Sequence, residues 1–562
     1  MRQCRVRVAT RWGHENREPG QESPNRLRLA LRHGAAVLQT GAACRGETTQ
    51  RNERRPMTTL GSSSPEARSA RPETAGELKR GLKARHLQMI AIGGAIGTGL
   101  FLGSGGTISQ AGPGGGLVAY VVIGIMVLFV MQSLGEMSTH LPVSGSFQSY
   151  ATRYVGESFG FATGWNYWFN WAITLAAELV AGGVIMSYWF PDVPSWIWAA
   201  VFLVALTALN WLSARAFGEG EFWLAAIKVV TVLVFLLLGV LMIVGILGGD
   251  SPGFSNWTTG EAPFKGGWLS IVSVFMIAGF SFQGTELVGV AAGESENPRR
   301  DMPRAIRTIF WRIMLFYVAA IAIIGFLLPY TDPSLLASAD NGDVTASPFT
   351  LVFERAGIAI AAGVMNAIIL TAVLSAGNSG LYASTRMLYA LAVERKAPRI
   401  FARVNARGVP VPALLATAAV GVFAFITSIL GDGGAYTWLI NVSGLSGFIV
   451  WVGISWSHYR FRRAYVRQGH ELKHLPYVAP FFPVGPILAL VVMLVVIAGQ
   501  NYQAVLDGHM AEVVSAYIGL PVFLLVWWIH RIVKGRGAGL VPLDSVDVSG
   551  LEVPPAGSRS SA

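Results

Sequence analysis

At 562 residues the chain is long enough for several soluble domains, yet 52% of its residues are hydrophobic, only 13% are charged and the mean hydropathy is +0.48. Soluble domains carry a far higher charged fraction, so a water-soluble enzyme or binding module is excluded. The formal charge of +11 is no sign of nucleic acid, because twelve arginines against five glutamates in residues 1–56 supply +7 of it.

Residues 1–75 have no apolar run that could span a bilayer and are rich in Arg, Ser and Gly, so a disordered segment is expected there. It has neither the apolar core of a secretory signal nor the acid-poor composition of a transit peptide. Met57 is a plausible start, which would leave residues 1–56 upstream of it. Both cysteines, Cys4 and Cys44, lie here, so the membrane body is expected to hold no thiol, no disulfide and no cysteine-based metal site.

Residues 76–535 read as one all-α polytopic domain of twelve spans. They fall near 87–106, 116–139, 159–190, 196–212, 223–248, 268–292, 309–329, 357–391, 411–430, 435–456, 481–498 and 513–530. Each is close to the ~20 residues that carry a helix across a ~30 Å core. Helices are required because lipid offers an open backbone no partner. A disordered tail is expected over 536–562. Arg and Lys collect in alternate connections: Lys79 to Arg85, Arg153, Arg215, Arg299 to Arg312, Arg395 to Arg407, Arg460 to Lys473 and Arg531 to Arg536. The intervening loops hold Asp192, Asp250, Asp332 and Asp343 and few cations, which predicts both termini in the cytoplasm.

Two spans carry glycine clusters, Gly93-Gly94-Ala95-Ile96-Gly97-Thr98-Gly99 in the first and Gly279-Phe280-Ser281-Phe282-Gln283-Gly284-Thr285-Glu286 in the sixth. Gly97-Thr98-Gly99-Leu100 echoes Gly284-Thr285-Glu286-Leu287, and an offset of five spans reverses orientation across the bilayer. The pattern predicts an inverted repeat whose paired broken helices build a substrate site near the midplane. Close helix packing is the alternative use of such glycines. The half-helix after the first break would turn free N–H groups and a positive dipole end toward the cavity. A substrate carboxylate is therefore assigned to Gly97, Thr98 and Gly99, and an α-ammonium to carbonyls of Gly94, Ala95, Phe280 and Ser281.

Ionisable groups inside spans are functional candidates because their burial is costly: Glu136, Glu178, Lys228 and Glu286. Glu136 lies near the end of its span, where it caps or pairs. Lys228 is ~8 Å inside the fifth span, a depth from which it can also snorkel to the surface. Glu286 is the proton-carrying candidate; a structural hydrogen bond to the unwound backbone is compatible with that role. No ATP-binding loop, His pair at metal spacing or nucleophile elbow is present, so no catalytic residue, cofactor or metal is expected and an ion gradient supplies the drive. A channel and a membrane nutrient sensor with little transport are the rival classes.

Several segments carry a resemblance. They are Leu82-Lys83-Ala84-Arg85-His86-Leu87, Gly112-Pro113-Gly114, Pro142-Val143-Ser144-Gly145-Ser146 and Gly160-Phe161-Ala162-Thr163-Gly164-Trp165-Asn166-Tyr167-Trp168. Further on come Phe280 to Leu287, Ala291 to Glu296, Ser375 to Gly380 and Ser457 to Arg463. From about residue 80 to 535 the chain resembles the bacterial amino acid permeases of the amino acid-polyamine-organocation superfamily. The resemblance implies a LeuT-type fold, five plus five inverted helices with two appended. It also implies proton-coupled symport of an amino acid across a bacterial inner membrane, with L-lysine the substrate. Arginine, histidine or a neutral amino acid is the alternative. It further implies that Phe280 is an aromatic lid, and that the Lys228 ammonium stands where sodium-driven relatives bind sodium. Lysine's stem and ε-ammonium need a long pocket with polar acceptors. The small residues Ser443, Gly444 and Ser446 of the tenth span are assigned to it, with Glu178, Ser375 and Asn378 completing the shell. Protons and membrane lipid are the other expected partners, and nucleic acid is not one. Oligomeric state is left open.

Overall fold

The computed structural model describes residues 82–550, apart from 144, 250, 341–346, 356, 358 and 427–430. Among these residues the chain is helical, with one isolated parallel bridge between Leu82 and Ser295. In chain order the principal helices are α1 (Ala84–Gly93), α2 (Thr98–Phe101), α3 (Gly103–His140), α4 (Glu157–Met186), α5 (Ser195–Leu212) and α6 (Ala214–Ile243). The sixth expected span is a stretch over Gly267–Glu294 that contains α7 (Phe275–Phe282) and α8 (Leu287–Ala291). Then come α9 (Pro298–Leu327), α10 (Ala359–Val393), α11 (Val411–Phe425), α12 (Asp432–Arg467), α13 (Val484–Gly499) and α14 (Gly519–Lys534).

Eight of the described helices are long and apolar enough to cross a membrane, or nine if Met510–Tyr517 and Gly519–Lys534, bent by 51° from one another, count as one span. The remaining expected spans fall on shorter or interrupted helices. The first stops at Gly93 and resumes at Thr98. The ninth and eleventh correspond to the shorter apolar α11 and α13. α3 is two helices joined at Gly112, whose φ of +76° is a left-handed value, followed by Pro113, which ends one helix and starts the next.

α4 packs against α10 and α12, α1 against α6 and α9, and α7 against α3. Outward-facing positions carry exposed large apolar side chains such as Val204, Leu237, Val495 and Leu525. In water so extended an apolar surface would aggregate; against lipid tails it is matched.

One end of the bundle is fastened by buried ion pairs. Glu136 of α3 accepts from Arg462 of α12 through Nε at 2.6 Å and through Nη2, and from the Ala479 backbone N–H at 2.7 Å, with His458 Nε2 3.3 Å away. Glu294 accepts from Arg386 Nε of α10 at 2.9 Å, and that guanidinium lies 4.4 Å from the Tyr382 ring centre. Carboxylates this deep persist because each meets a buried guanidinium.

The tail differs from expectation. Residues 536–550 are packed along this same end, because donors at the helix ends find acceptors there. Arg460 donates to Val541 O, Gln468 Nε2 to Leu543 O at 3.0 Å and to Val546 O at 2.8 Å, and Arg153 Nε to Asp547 O at 2.7 Å. His140 Nε2 is 2.9 Å from Val548 O, and Val546 and Val548 are buried. The segment expectations for 1–75 and for 551–562 lie outside the described residues.

Candidate functional site

The two interruptions meet. Gly97, in an extended conformation (φ −141°, ψ −150°), feeds into α2, so the N–H groups of Thr98 and Gly99 open a helix. Opposite, α7 stops at Phe282, Gln283 is extended, and Gly284 adopts φ +96° before α8 begins. A Cβ on Gly284 would lie 2.4 Å from Gly94 O, and one on Gly99 would lie 2.5 Å from Ser281 Cα. Glycine is required at both places because backbone meets backbone.

Around this crossing is a small cavity of ≈ 20 Å³, lined by Gly94, Ala95, Gly97 and Gly99 from the first break, Phe280 and Gln283 from the second, Trp171, Thr174 and Glu178 from α4, and Ala376 from α10. That is room for about one water molecule, so an amino acid enters only if the two breaks part. A larger groove of ≈ 770 Å³ lies open on the outer side of α14, lined mainly by Leu524, Leu525, Trp527 and Trp528. It is an apolar surface with one cation, Arg531, and lacks the paired donors and acceptors an amino acid needs.

The polar atoms at the cavity are few and placed. Thr98 Oγ1 donates to Glu178 Oε1 at 3.0 Å, while Glu178 Oε2, also buried, has no hydrogen-bond partner among the described residues. Gln283 donates through Nε2 to Gly444 O at 3.0 Å, leaving its Oε1 buried and unpartnered among those residues. Phe280 is buried at the wall. The carbonyls assigned to an ammonium are partly engaged already: Ala95 O accepts from Tyr317 Oη at 3.0 Å and Phe280 O from Gln283 N at 3.1 Å. The Ser281 hydroxyl lies 2.9 Å from Tyr120 Oη and donates to Ile277 O.

Glu286 stands one layer behind the cavity. Trp171 Nε1 donates to its Oε1 at 3.3 Å, Trp451 Nε1 to its Oε2 at 3.2 Å, and Gly284 N to Oε2 at 3.2 Å. Trp171 thus joins this carboxyl to the cavity wall. Lys228 is fully buried, with Nζ donating to Gly93 O at 2.9 Å, the last carbonyl before the first break.

The pocket residues divide. Glu178 lines the cavity. Ser443 faces α4, hydrogen-bonded to Thr174 Oγ1 at 2.6 Å and Asn170 Oδ1 at 3.1 Å, and Gly444 contacts Gln283 through its carbonyl, one residue removed from the open space. Ser446 Oγ turns back to Val442 O in its own helix. Ser375 Oγ donates to both oxygens of Glu221, at 2.8 and 2.9 Å, and Asn378 Oδ1 accepts from Asn210 of α5 at 2.7 Å. Ser375 and Asn378 therefore face α6 and α5, and Ala376 takes the cavity position on α10. Sequence reasoning missed Trp171, Thr174, Gln283, Trp451 and Glu221. A hydropathy boundary near 223 left Glu221 outside the fifth span, although α6 starts at Ala214. It also assigned Arg312 to a connecting loop, whereas it is buried in α9 and donates to Thr285 Oγ1 at 2.9 Å.

A multi-helix bundle with interrupted helices meeting at a central cavity is the architecture of a membrane transporter. A solved manganese transporter of Eremococcus coleocola, in complex with an aromatic bis-isothiourea substituted compound, has this fold. It has a TM-score of 0.51 and 16% identity, covering 80% of this chain and 94% of that one. The amino acid permease family model matches residues 86–538, and the chain belongs to that family: it is a multi-pass membrane transport protein and not an enzyme. It is 59% identical over 461 residues to the lysine-specific permease LysP of Escherichia coli, covering 82% of this chain and 94% of the relative. Identity to the lysine-specific permease LysP of Lactococcus lactis is 50%, with 86% and 95% covered, and to the histidine permease HisP of the same species 49%, with 85% and 99% covered.

Proposed function

We propose that this protein imports L-lysine together with a proton by alternating access, as a symporter in a bacterial inner membrane with both termini cytoplasmic. Its twelve spans on this reading form the five-plus-five inverted repeat with two appended helices. The observation that carries the reading is the meeting, at one narrow cavity, of helix-opening N–H groups and a buried carboxylate oxygen that has no hydrogen-bond partner among the described residues. The N–H groups of Thr98 and Gly99 take the α-carboxylate, and carbonyls of Gly94 and Ser281 take the α-ammonium as the breaks part. Phe280 closes over the substrate. Glu178, hydrogen-bonded to Thr98, stands at the α-amino end of the substrate, and Gln283, with Ser443 and Gly444 behind it, receives the ε-ammonium once the cavity widens. Glu286 and Lys228 couple the proton: the Glu286 carboxyl carries it, while the Lys228 ammonium holds the first break at Gly93 O, where a sodium ion would otherwise do so, and lets go when it is deprotonated.

The test is labelled lysine uptake by purified protein in liposomes under a pH gradient, with unlabelled competitors. Norleucine, which lacks the terminal ammonium, leaves buried acceptors unpaired and is expected to compete at least about a hundredfold more weakly than lysine. Arginine is also expected to compete poorly, because its planar guanidinium does not suit acceptors set for a compact ammonium. Competition by either as strong as lysine's would end the lysine assignment. Binding without flux would replace transport by sensing.

A further inference from the structure

Glu221 is fully buried in the same helix as Lys228, seven residues before it, so the two face the same way about two turns apart. Its Oε1 is 4.0 Å from Lys228 Nζ, and both side chains have zero exposure. Neither end of this pair is satisfied by its own helix alone. The ammonium donates to Gly93 O at the edge of the first break, and the carboxylate is held through both oxygens by the Ser375 hydroxyl of α10. A carboxylate in so apolar a setting is costly unless its charge is used, and the charge within reach is the Lys228 ammonium.

We infer that Glu221 is the positioning residue for Lys228: its carboxylate, anchored on α10, holds the Lys228 ammonium against the broken end of α1 and thereby sets the pH dependence of uptake. This rests on the coupling role of Lys228 proposed above and deepens it. The other charged groups around the pair are already engaged or farther from it. Glu178 on α4 is hydrogen-bonded to Thr98. On the face of α1, Arg85 and His86 are spent on Glu219, which the Arg85 guanidinium contacts directly and His86 Nε2 approaches to 3.1 Å. On α10, Arg386 is paired with Glu294, and on α9 Arg312 donates to Thr285. Glu221 is thus the buried carboxylate of α6 that stands beside Lys228, and it links three helices: α6, α10 and, through Lys228, α1.

Removing a unit charge 4.0 Å from the ammonium corresponds to on the order of 3 pH units at an effective protein dielectric of about 20, and the amide dipole of glutamine restores part of it. The experiment compares wild type, Glu221→Gln, Glu221→Asp and Lys228→Ala in liposomes, reading the initial rate of lysine uptake and lysine binding as functions of pH. In Glu221→Gln the midpoint of the uptake profile is expected to move to lower pH by at least about one unit, with lysine affinity at acid pH within about threefold of wild type. Glu221→Asp keeps the charge at a greater distance and is expected to shift the profile the same way by less. It carries the test by itself if the glutamine variant does not fold. A helix-packing role alone would lower yield or melting temperature and leave the midpoint in place. An unmoved midpoint in both Glu221 variants, beside a moved one in Lys228→Ala, overturns the inference. An unmoved midpoint in Lys228→Ala overturns instead the coupling role on which it rests.

Discussion

Replacing Gly284 by alanine probes whether the abutting breaks are part of the transport cycle. At φ +96° an L-residue sits in the left-handed region, which costs about 1–2 kcal/mol. Its Cβ would also lie 2.4 Å from Gly94 O and 3.2 Å from Ala95 Cα, where ordinary contact begins at 3.4 Å. The two interrupted segments must therefore separate by about 1 Å, an overpacking cost of about 1–3 kcal/mol. Together these are worth about 3 kcal/mol against the state in which the breaks touch, roughly a hundredfold in its population. The assay is lysine uptake in liposomes beside a melting curve of the purified protein, with Gly469→Ala as control. Gly469 has φ +84° and no atom within 4 Å of its would-be Cβ, so it carries the strain without the contact. Gly284→Ala is expected to lose uptake by about a hundredfold while Gly469→Ala stays within about twofold of wild type. Uptake by Gly284→Ala as fast as by Gly469→Ala would refute the argument.

Glu286→Gln should abolish gradient-driven uptake while lysine binding persists in part, since the amide keeps much of the Trp171 and Trp451 geometry but cannot cycle a proton; unchanged gradient-driven uptake would remove Glu286 from the mechanism. Arg462→Met leaves Glu136 buried without its main cation and should cost about 3–5 kcal/mol, with Glu136→Gln added to it restoring most of the loss; a single variant as stable as wild type would contradict the pairing. In the tail, partial burial pushes the Asp547 carboxyl upward, but the Ser549 hydroxyl and N–H together with Arg153 outweigh it and hold the group below the ordinary aspartate value. A depressed carboxyl stabilises above its unfolded-state value and loses that contribution as pH falls through its folded-state value. The melting difference between wild type and Arg153→Ala should therefore shrink as pH falls below the ordinary aspartate value, leaving the part due to the Arg153 bonds to Asp547 O and Ser549 O; a difference that grows on acidification would reverse the assignment.

The interruptions were legible because glycine leaves a recognisable gap in an apolar run, and Glu178, Lys228 and Glu286 because charge inside such a run is costly. What hydropathy could not fix was helical phase. Ser375 and Ala376 differ by one residue, yet that residue turns the side chain about 100° and decides which of them meets the cavity. The ends of spans were equally obscure: α6 begins at Ala214, well before its apolar run, so Glu221 read as loop, and α9 begins at Pro298, so Arg312 read as one more loop cation. Trp171, Gln283 and Trp451 carry no periodic signature among so many apolar and aromatic neighbours. The tail at 536–550 looks structureless because many of its contacts are made through its carbonyls, which every residue has.

The two indoles on Glu286 give the molecule an optical property. Indole emission changes colour with the charge beside the ring, and here Trp171 and Trp451 each donate to one oxygen of the same carboxyl, while Trp171 also lines the cavity. Neutralising that carboxyl or displacing Trp171 therefore alters emitted light at the point where the break and the cavity meet. Seventeen tryptophans contribute to the total, so the difference between wild type and Trp171→Phe isolates the signal. The transporter carries its own dye, and its turnover can be timed by stopped-flow fluorescence without a label on protein or substrate.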